Sequence, residues 1–285
     1  MQLGVITDCF RSTHRTGIEA AAALGLQGVQ LYATTGAFSP RTLTAEDKSA
    51  YRRLLAEKGL VVSALCGDMG GYGFERAAET PERVRRTKEI VDLAVEFDAP
   101  VVTTHIGVIP ADKTVPRYGV MLEALTACGR YAAARGVTLA IETGPEVAAT
   151  LLAFLQDTDG GVGVNLDPAN FVMVTGQDPV EAVRLLGRYI VHTHAKDGVQ
   201  LKAGQDATAV YHAFAEGGVA ALEACDGFRE VPLGEGSVDW PAYLAALRDV
   251  GYNGFLTIER ETGADPAADI RRAAAFLQAQ LNGIG

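Results

Sequence analysis

Four of the later short apolar runs of the chain each close on a residue type that binds divalent cations. Glu142 closes TLAIE, Asp167 closes GVNLD, His194 closes IVHTH and Glu259 closes LTIE. A carboxylate at the edge of an apolar run is expensive to desolvate unless it finds a partner. Three carboxylates facing one cavity repel one another unless protons or a cation intervene, and a divalent metal is the natural solution. The competing reading leaves one or two of these acids in salt bridges with Lys196, Arg260 or a helix N-terminus. A donor set of three carboxylates and one imidazole favours manganese, magnesium or cobalt, with zinc the remaining option. His192 and His194 share a strand face because side chains alternate along a strand. Only the one nearer the C-terminal end reaches such a metal, so His192 is expected deeper, as a hydrogen-bonded core residue or a support for the ligands.

These residues meet only if the runs are strands of one barrel. Runs of apolar or β-branched residues occur near 3–7, 28–32, 61–66, 100–106, 137–142, 162–167, 189–194 and 255–259. Their near-continuous apolar character suits parallel strands buried on both faces. Helical patterns near 16–24, 44–58, 80–97, 116–135, 146–157, 178–187, 239–250 and 265–281 fill the gaps. Thr80, Asp178 and Asp265, each followed by proline, are expected N-caps. Gly25, Gly59, Gly136, Gly187 and Gly251 are expected left-handed caps at the helix ends. The alternation predicts a single-domain (β/α)8 TIM barrel over residues 1–285, in which strand C-terminal ends build the active site. One connection is out of scale: 198–233, after the seventh strand, predicts a lid or a subunit contact with its own helix near 209–224.

Composition narrows the function classes. Twenty-five basic residues against 35 acidic ones give a formal charge of −10, which repels polyanions, so nucleic acid is not an expected partner. The chain opens directly into LGVIT, and no apolar run reaches the roughly 18 residues of a membrane span, which predicts a cytoplasmic protein with no membrane partner. Cys9, Cys66, Cys128 and Cys225 lie far apart without CxxC spacing and are expected to be reduced thiols.

With IETG, NLDPAN, HTHAKDG, PLGEGSVDW and LTIERE around the four residues, the chain resembles the sugar phosphate isomerase/epimerase superfamily of xylose isomerase-like TIM barrels. The resemblance covers essentially the whole chain, and HAKD at 194–197 and LGEGSVDW at 233–240 are its most specific elements. It implies a divalent cation held by Glu142, Asp167, His194 and Glu259, with Glu142 and Glu259 also serving as the acid/base pair. It implies a small carbohydrate substrate and a homodimer or homotetramer. Ketose 3-epimerases carry histidine three residues after the metal aspartate and arginine six after the metal histidine. This chain has Asn170 and Gln200 there, so its substrate recognition differs. Five histidines cannot supply the further ligands of the related AP endonucleases.

The function expected on this basis is a divalent-metal-dependent isomerase or epimerase of a sugar or keto-sugar, abstracting a proton next to a carbonyl through an enediolate. The alternatives are a metal-dependent lyase or dehydratase acting on a keto-cyclitol or 3-keto-glycoside, and a non-catalytic sugar-binding barrel. His105, at the end of VVTTHIG, is a candidate for a substrate hydroxyl or a general acid, and equally for a structural histidine. Asn170, Lys196, Asp197 and Glu235 are the other expected substrate contacts, Glu235 with Arg260 as its alternative partner. The glycine-rich GDMGGYG at 67–73 is either a turn or a close approach to ligand.

Overall fold

The computed structural model describes residues 1–283, the side chain of Leu222 excepted. The apolar runs form strands β1 (Gln2–Ile6), β2 (Gly28–Tyr32), β3 (Val61–Cys66), β4 (Val101–Thr104), β5 (Thr138–Glu142), β6 (Val162–Leu166) and β7 (Ile190–Ala195). A pair follows that the runs do not announce, β8 (Asp197–Gln200) and β9 (Phe228–Val231), before the last strand, β10 (Phe255–Ile258). The barrel closes in the order β1-β10-β7-β6-β5-β4-β3-β2, with parallel pairing throughout, while β8 and β9 form a separate antiparallel ribbon. Each barrel strand is buried over most of its length, because the helix layer covers the outside and side chains from neighbouring strands fill the inside.

Helix boundaries show which local signals act. Asp178 and Asp265 cap as expected, accepting from Val180 N at 2.8 Å and Ala268 N at 3.0 Å. Thr80 does not. Its hydroxyl donates to the Arg76 carbonyl at 2.9 Å, because a turn already running through 76–79 carries the chain into helix Thr80–Glu96. Gly25, Gly59, Gly136 and Gly251 are left-handed as expected. Gly187 instead continues the helix, with φ −41°. A Cβ at Gly187 would stand 2.7 Å from that of Val250, so close packing of two helix ends, not backbone handedness, requires glycine there.

The 198–233 segment is neither a bare loop nor a plain helix. Its two ends pair as the β8–β9 ribbon, in the register Asp197↔Val231 to Gln200↔Phe228. Between them runs helix Ala207–Ala224, longer than the 209–224 expected and broken at Gly218 (φ 60°, ψ −148°). Tyr211 Oη accepts from Gly107 N at 3.2 Å and His212 lies 3.2 Å from Glu75. The helix is thereby fastened over the loops that follow β3 and β4, roofing the C-terminal mouth of the barrel.

Candidate metal centre and active-site cavity

Register places the four candidate ligands side by side. Glu142 is the last residue of β5 and pairs with Asn165 of β6; His194 of β7 pairs with Thr257 of β10. Asp167 and Glu259 lie one residue beyond β6 and β10, and Glu259 N continues the ladder by donating to Ala195 O at 3.1 Å. The ligand atoms of Glu142, Asp167, His194 and Glu259 all fall within 4.8 Å of one another, and all four residues are buried. His194 Nδ1 stands at the centre, 3.2 Å from Glu142 Oε1, 3.6 Å from Asp167 Oδ2 and 2.9 Å from Glu259 Oε2.

The surroundings leave these atoms bare. Asp167 caps the short helix Pro168–Asn170, but only through Oδ1, which accepts from Ala169 N at 2.8 Å and Asn170 N at 3.1 Å. Gln30 Nε2 donates to Thr103 Oγ1 at 3.1 Å, which turns its carbonyl oxygen toward His194 Nε2 at 3.2 Å. Asn165 Nδ2 also meets His194 Nε2, at 3.1 Å, and the two contacts fix the ring with Nδ1 facing the carboxylates. Asp167 Oδ2, His194 Nδ1 and Glu259 Oε2 are all buried without a hydrogen-bond partner. Three orphaned polar atoms on one point are what a structural cluster avoids and what a cation site requires. Charge gives the same answer. Burial pushes the His194 imidazole down, yet Glu142, Glu259 and Asp167 overcome this and hold it well above its usual range. The carboxylates thus demand a positive charge at that point, and the residues present fit a divalent oxygen-preferring cation.

The remaining candidates separate into two groups. His105 lies one residue past β4 at the cavity wall, with Nε2 3.8 Å from Glu142 Oε1 and Nδ1 3.1 Å from Asp68 Oδ2. Burial pushes its pKa down, but Glu142 and Asp68 carry it up to about 10. Lys196 also lines the cavity, paired with Glu261 and, at 3.3 Å, with Glu259. Asn170 lines it too, its Nδ2 donating to Thr143 O at 2.9 Å.

Asp197 and Glu235 lie elsewhere. Asp197 is buried outside the cavity wall and accepts four N–H groups: Gly198 (2.9 Å) and Val238 (3.2 Å) on Oδ1, Gly234 (2.9 Å) and Trp240 Nε1 (3.0 Å) on Oδ2. Its carboxylate is saturated, so it organises the 234–240 turn rather than a substrate. Glu235 is exposed and faces Arg272 at 3.8 Å; Arg260, its expected alternative partner, is held instead by Glu230 and Asp269. His192 is a core residue, 3.0 Å from Thr257 Oγ1 and bridged to His194 by the Asn165 amide.

Gln30, Asp68, Asn165 and Glu230 are site residues that the sequence reading missed. Glu230, on β9, lines the cavity; its Oε1 accepts from Arg260 at 2.7 Å, and its Oε2 is buried and bare. The available signal for Gln30 and Asn165 was a polar side chain inside an otherwise apolar run, GVQLY and GVNLD. Among the described residues no helix is long and apolar enough to cross a membrane.

Comparison with known proteins agrees with this architecture. A xylose isomerase domain protein from Planctomyces limnophilus superposes with a TM-score of 0.79 at 28% identity, covering 98% of this chain and 96% of that one. The probable 3-DHS dehydratase AsbF of Bacillus anthracis has a TM-score of 0.76 at 20% identity, covering 98% and 99%. A D-psicose 3-epimerase solved in the presence of D-fructose has a TM-score of 0.72 at 19% identity, covering 99% of both. At such identities the last two likenesses concern the fold. No curated protein matches the chain in sequence. The family model described as xylose isomerase-like TIM barrel matches residues 18–280, and the chain belongs to that family.

Proposed function

We propose that this protein is a divalent-metal-dependent isomerase or epimerase that acts on a sugar or keto-sugar by removing a proton from the carbon next to a carbonyl. The observation that carries the reading is the convergence of Glu142, Asp167, His194 and Glu259, with three bare, buried atoms, at the mouth of the barrel. When bound there, the cation would polarise the substrate carbonyl and stabilise enediolate charge as a Lewis acid. Glu142 and Glu259 take and return the proton, and both are ready to accept it. Burial raises each carboxyl, and the cationic neighbours His105 for Glu142 and Lys196 for Glu259 oppose that rise. Asp167 caps and so orients the short helix that presents Asn170. Lys196 and Asn170 are placed to donate to substrate oxygens.

His105 favours a second reading within the same site. Asp68, beside its Nδ1 at 3.1 Å, favours its charged form and places it as a general acid for a departing hydroxyl or alkoxide, as a lyase on a keto-cyclitol or 3-keto-glycoside requires. The epimerase and dehydratase among the solved relatives fit the two readings respectively. Both begin with the same proton abstraction. The test is deuterium uptake from heavy water into a panel of ketoses, keto-sugars and inosones, by NMR, with manganese present and then chelated. Metal-dependent uptake at one carbon is expected, and product mass separates isomerisation from loss of water. Unchanged substrate protons with metal bound would overturn the proposal.

A further inference from the structure

The cavity wall has two chemically different halves, and the second is made mostly by the 198–233 insertion. Glu142, Glu259, His105 and Lys196 form one half. The other contains Met173 together with Val210, Tyr211, Phe214 and Phe228, the last four contributed by the 198–233 insertion. Met173 and Phe228 belong with Ala169 to a small apolar cluster separate from the barrel core, against which Val210 packs. Tyr211 does not turn its hydroxyl into the cavity, since that group accepts from Gly107 N, so its ring is what a ligand meets. The halves adjoin: the rings of Tyr211 and Phe214 have their centroids 6.1 and 6.3 Å from that of His105. A substrate group beside His105 therefore also meets aromatic surface.

The charges restrict the substrate further. Asp68, Glu142, Glu230, Glu259 and Glu261 all line the cavity, against Lys196 and His105. Lys196 is already paired with Glu259 and Glu261, and His105 with Asp68, so neither offers a phosphate or a carboxylate an unshared positive charge, although each keeps an N–H for a neutral substrate oxygen. A polyol alone leaves the apolar half filled with water, whereas ring-sized apolar groups gain by displacing it. Resting on the sugar-directed reading above, we propose that the substrate is an uncharged keto-sugar bearing an apolar, ring-sized substituent, and that the insertion seats this substituent against Phe214 and Tyr211.

Binding can be read without turnover. Manganese-loaded protein is titrated with phenyl β-D-glucoside, methyl β-D-glucoside and glucose 6-phosphate by calorimetry, with saturation-transfer NMR identifying the contacting protons. Burial of one phenyl ring predicts that the phenyl glycoside binds at least about tenfold tighter than the methyl glycoside. Saturation should be strongest on the aromatic protons, and the phosphate should not compete. Phe214 is only half-buried, so Phe214→Ala should fold and should shrink the phenyl-to-methyl ratio; Val210→Asp should do the same. Equal affinity for the two glycosides, a ratio unchanged in both variants, preference for the phosphate, or no binding of any probe while manganese binds would each overturn the inference. Its failure is separable from that of the proposed chemistry. Deuterium uptake into a plain ketose without phenyl preference sinks only the inference; phenyl preference without uptake in any substrate sinks only the proton abstraction.

Discussion

Replacing Asp197 by asparagine separates a structural carboxylate from a substrate-binding one. Each oxygen of Asp197 accepts two N–H groups, at distances of 2.9 to 3.2 Å. The residue is 1% exposed, so no water replaces a lost acceptor. Asparagine is nearly isosteric and keeps one carbonyl oxygen, but it turns an NH2 group toward two of the four donors. A buried donor left without a partner costs roughly 1–3 kcal/mol, so the two together predict a loss of about 4 kcal/mol. That is a large fraction of the roughly 5–15 kcal/mol by which a domain is stable. The reporter is built in, because Trp240, the chain's single tryptophan, is itself one of the donors. Urea unfolding followed by its fluorescence should show a lowered midpoint with an unchanged slope. Glu235→Gln is the matched control and should shift stability by less than about 0.5 kcal/mol, since that residue is exposed. An Asp197→Asn variant within about 1 kcal/mol of the parent in stability, yet deficient in ligand binding, would refute the structural assignment.

Glu142→Gln and Glu259→Gln should each lower deuterium uptake into substrate by roughly 100-fold or more, the usual weight of a positioned acid or base, with circular dichroism confirming the fold. Glu146 is buried, with Oε1 accepting from Ile109 N at 2.7 Å, and burial carries its pKa from 4.5 to about 7. The folded state then holds this proton more tightly than the unfolded one, so stability falls as pH rises from about 4.5 to about 7, by about 3 kcal/mol from this group. Glu146→Gln should flatten that fall in denaturation measured across the range; an unchanged pH slope would contradict it. Burial pushes the thiols of Cys9 and Cys66 well up, and that of Cys128 up to about 11, while Cys225 is only half-buried. Titration with a disulfide reagent near pH 8 should find one fast thiol and three that react only on unfolding.

How far the sequence reading reached follows from what each residue depends on. The convergence of Glu142, Asp167, His194 and Glu259 was legible because each terminates an apolar run, and parallel strands buried on both faces make those runs nearly continuous. Gln30 and Asn165 were not, because their contacts with His194 span 164 and 29 residues and exist only once the barrel closes. Asp197 and Glu235 were misplaced for a related reason. Adjacency to a ligand in sequence says nothing of side, and Asp197 starts the ribbon that leaves the barrel. The β8–β9 pair escaped notice since no short turn joins its strands; residues 201–227, with an 18-residue helix among them, separate the two. Thr80 and Gly187 show local signals overridden by a preceding turn and by a neighbouring helix.

Crystals of the protein grown with manganese, with data collected across the manganese absorption edge, address the central claim most directly. The account predicts one strong anomalous peak at the barrel mouth, within about 2.0–2.6 Å of Glu142 and Asp167 oxygens, His194 Nδ1 and a Glu259 oxygen. Crystals of Asp167→Asn should lose most of that peak while keeping the fold. Manganese bound elsewhere, with no peak between these four side chains, would contradict the account.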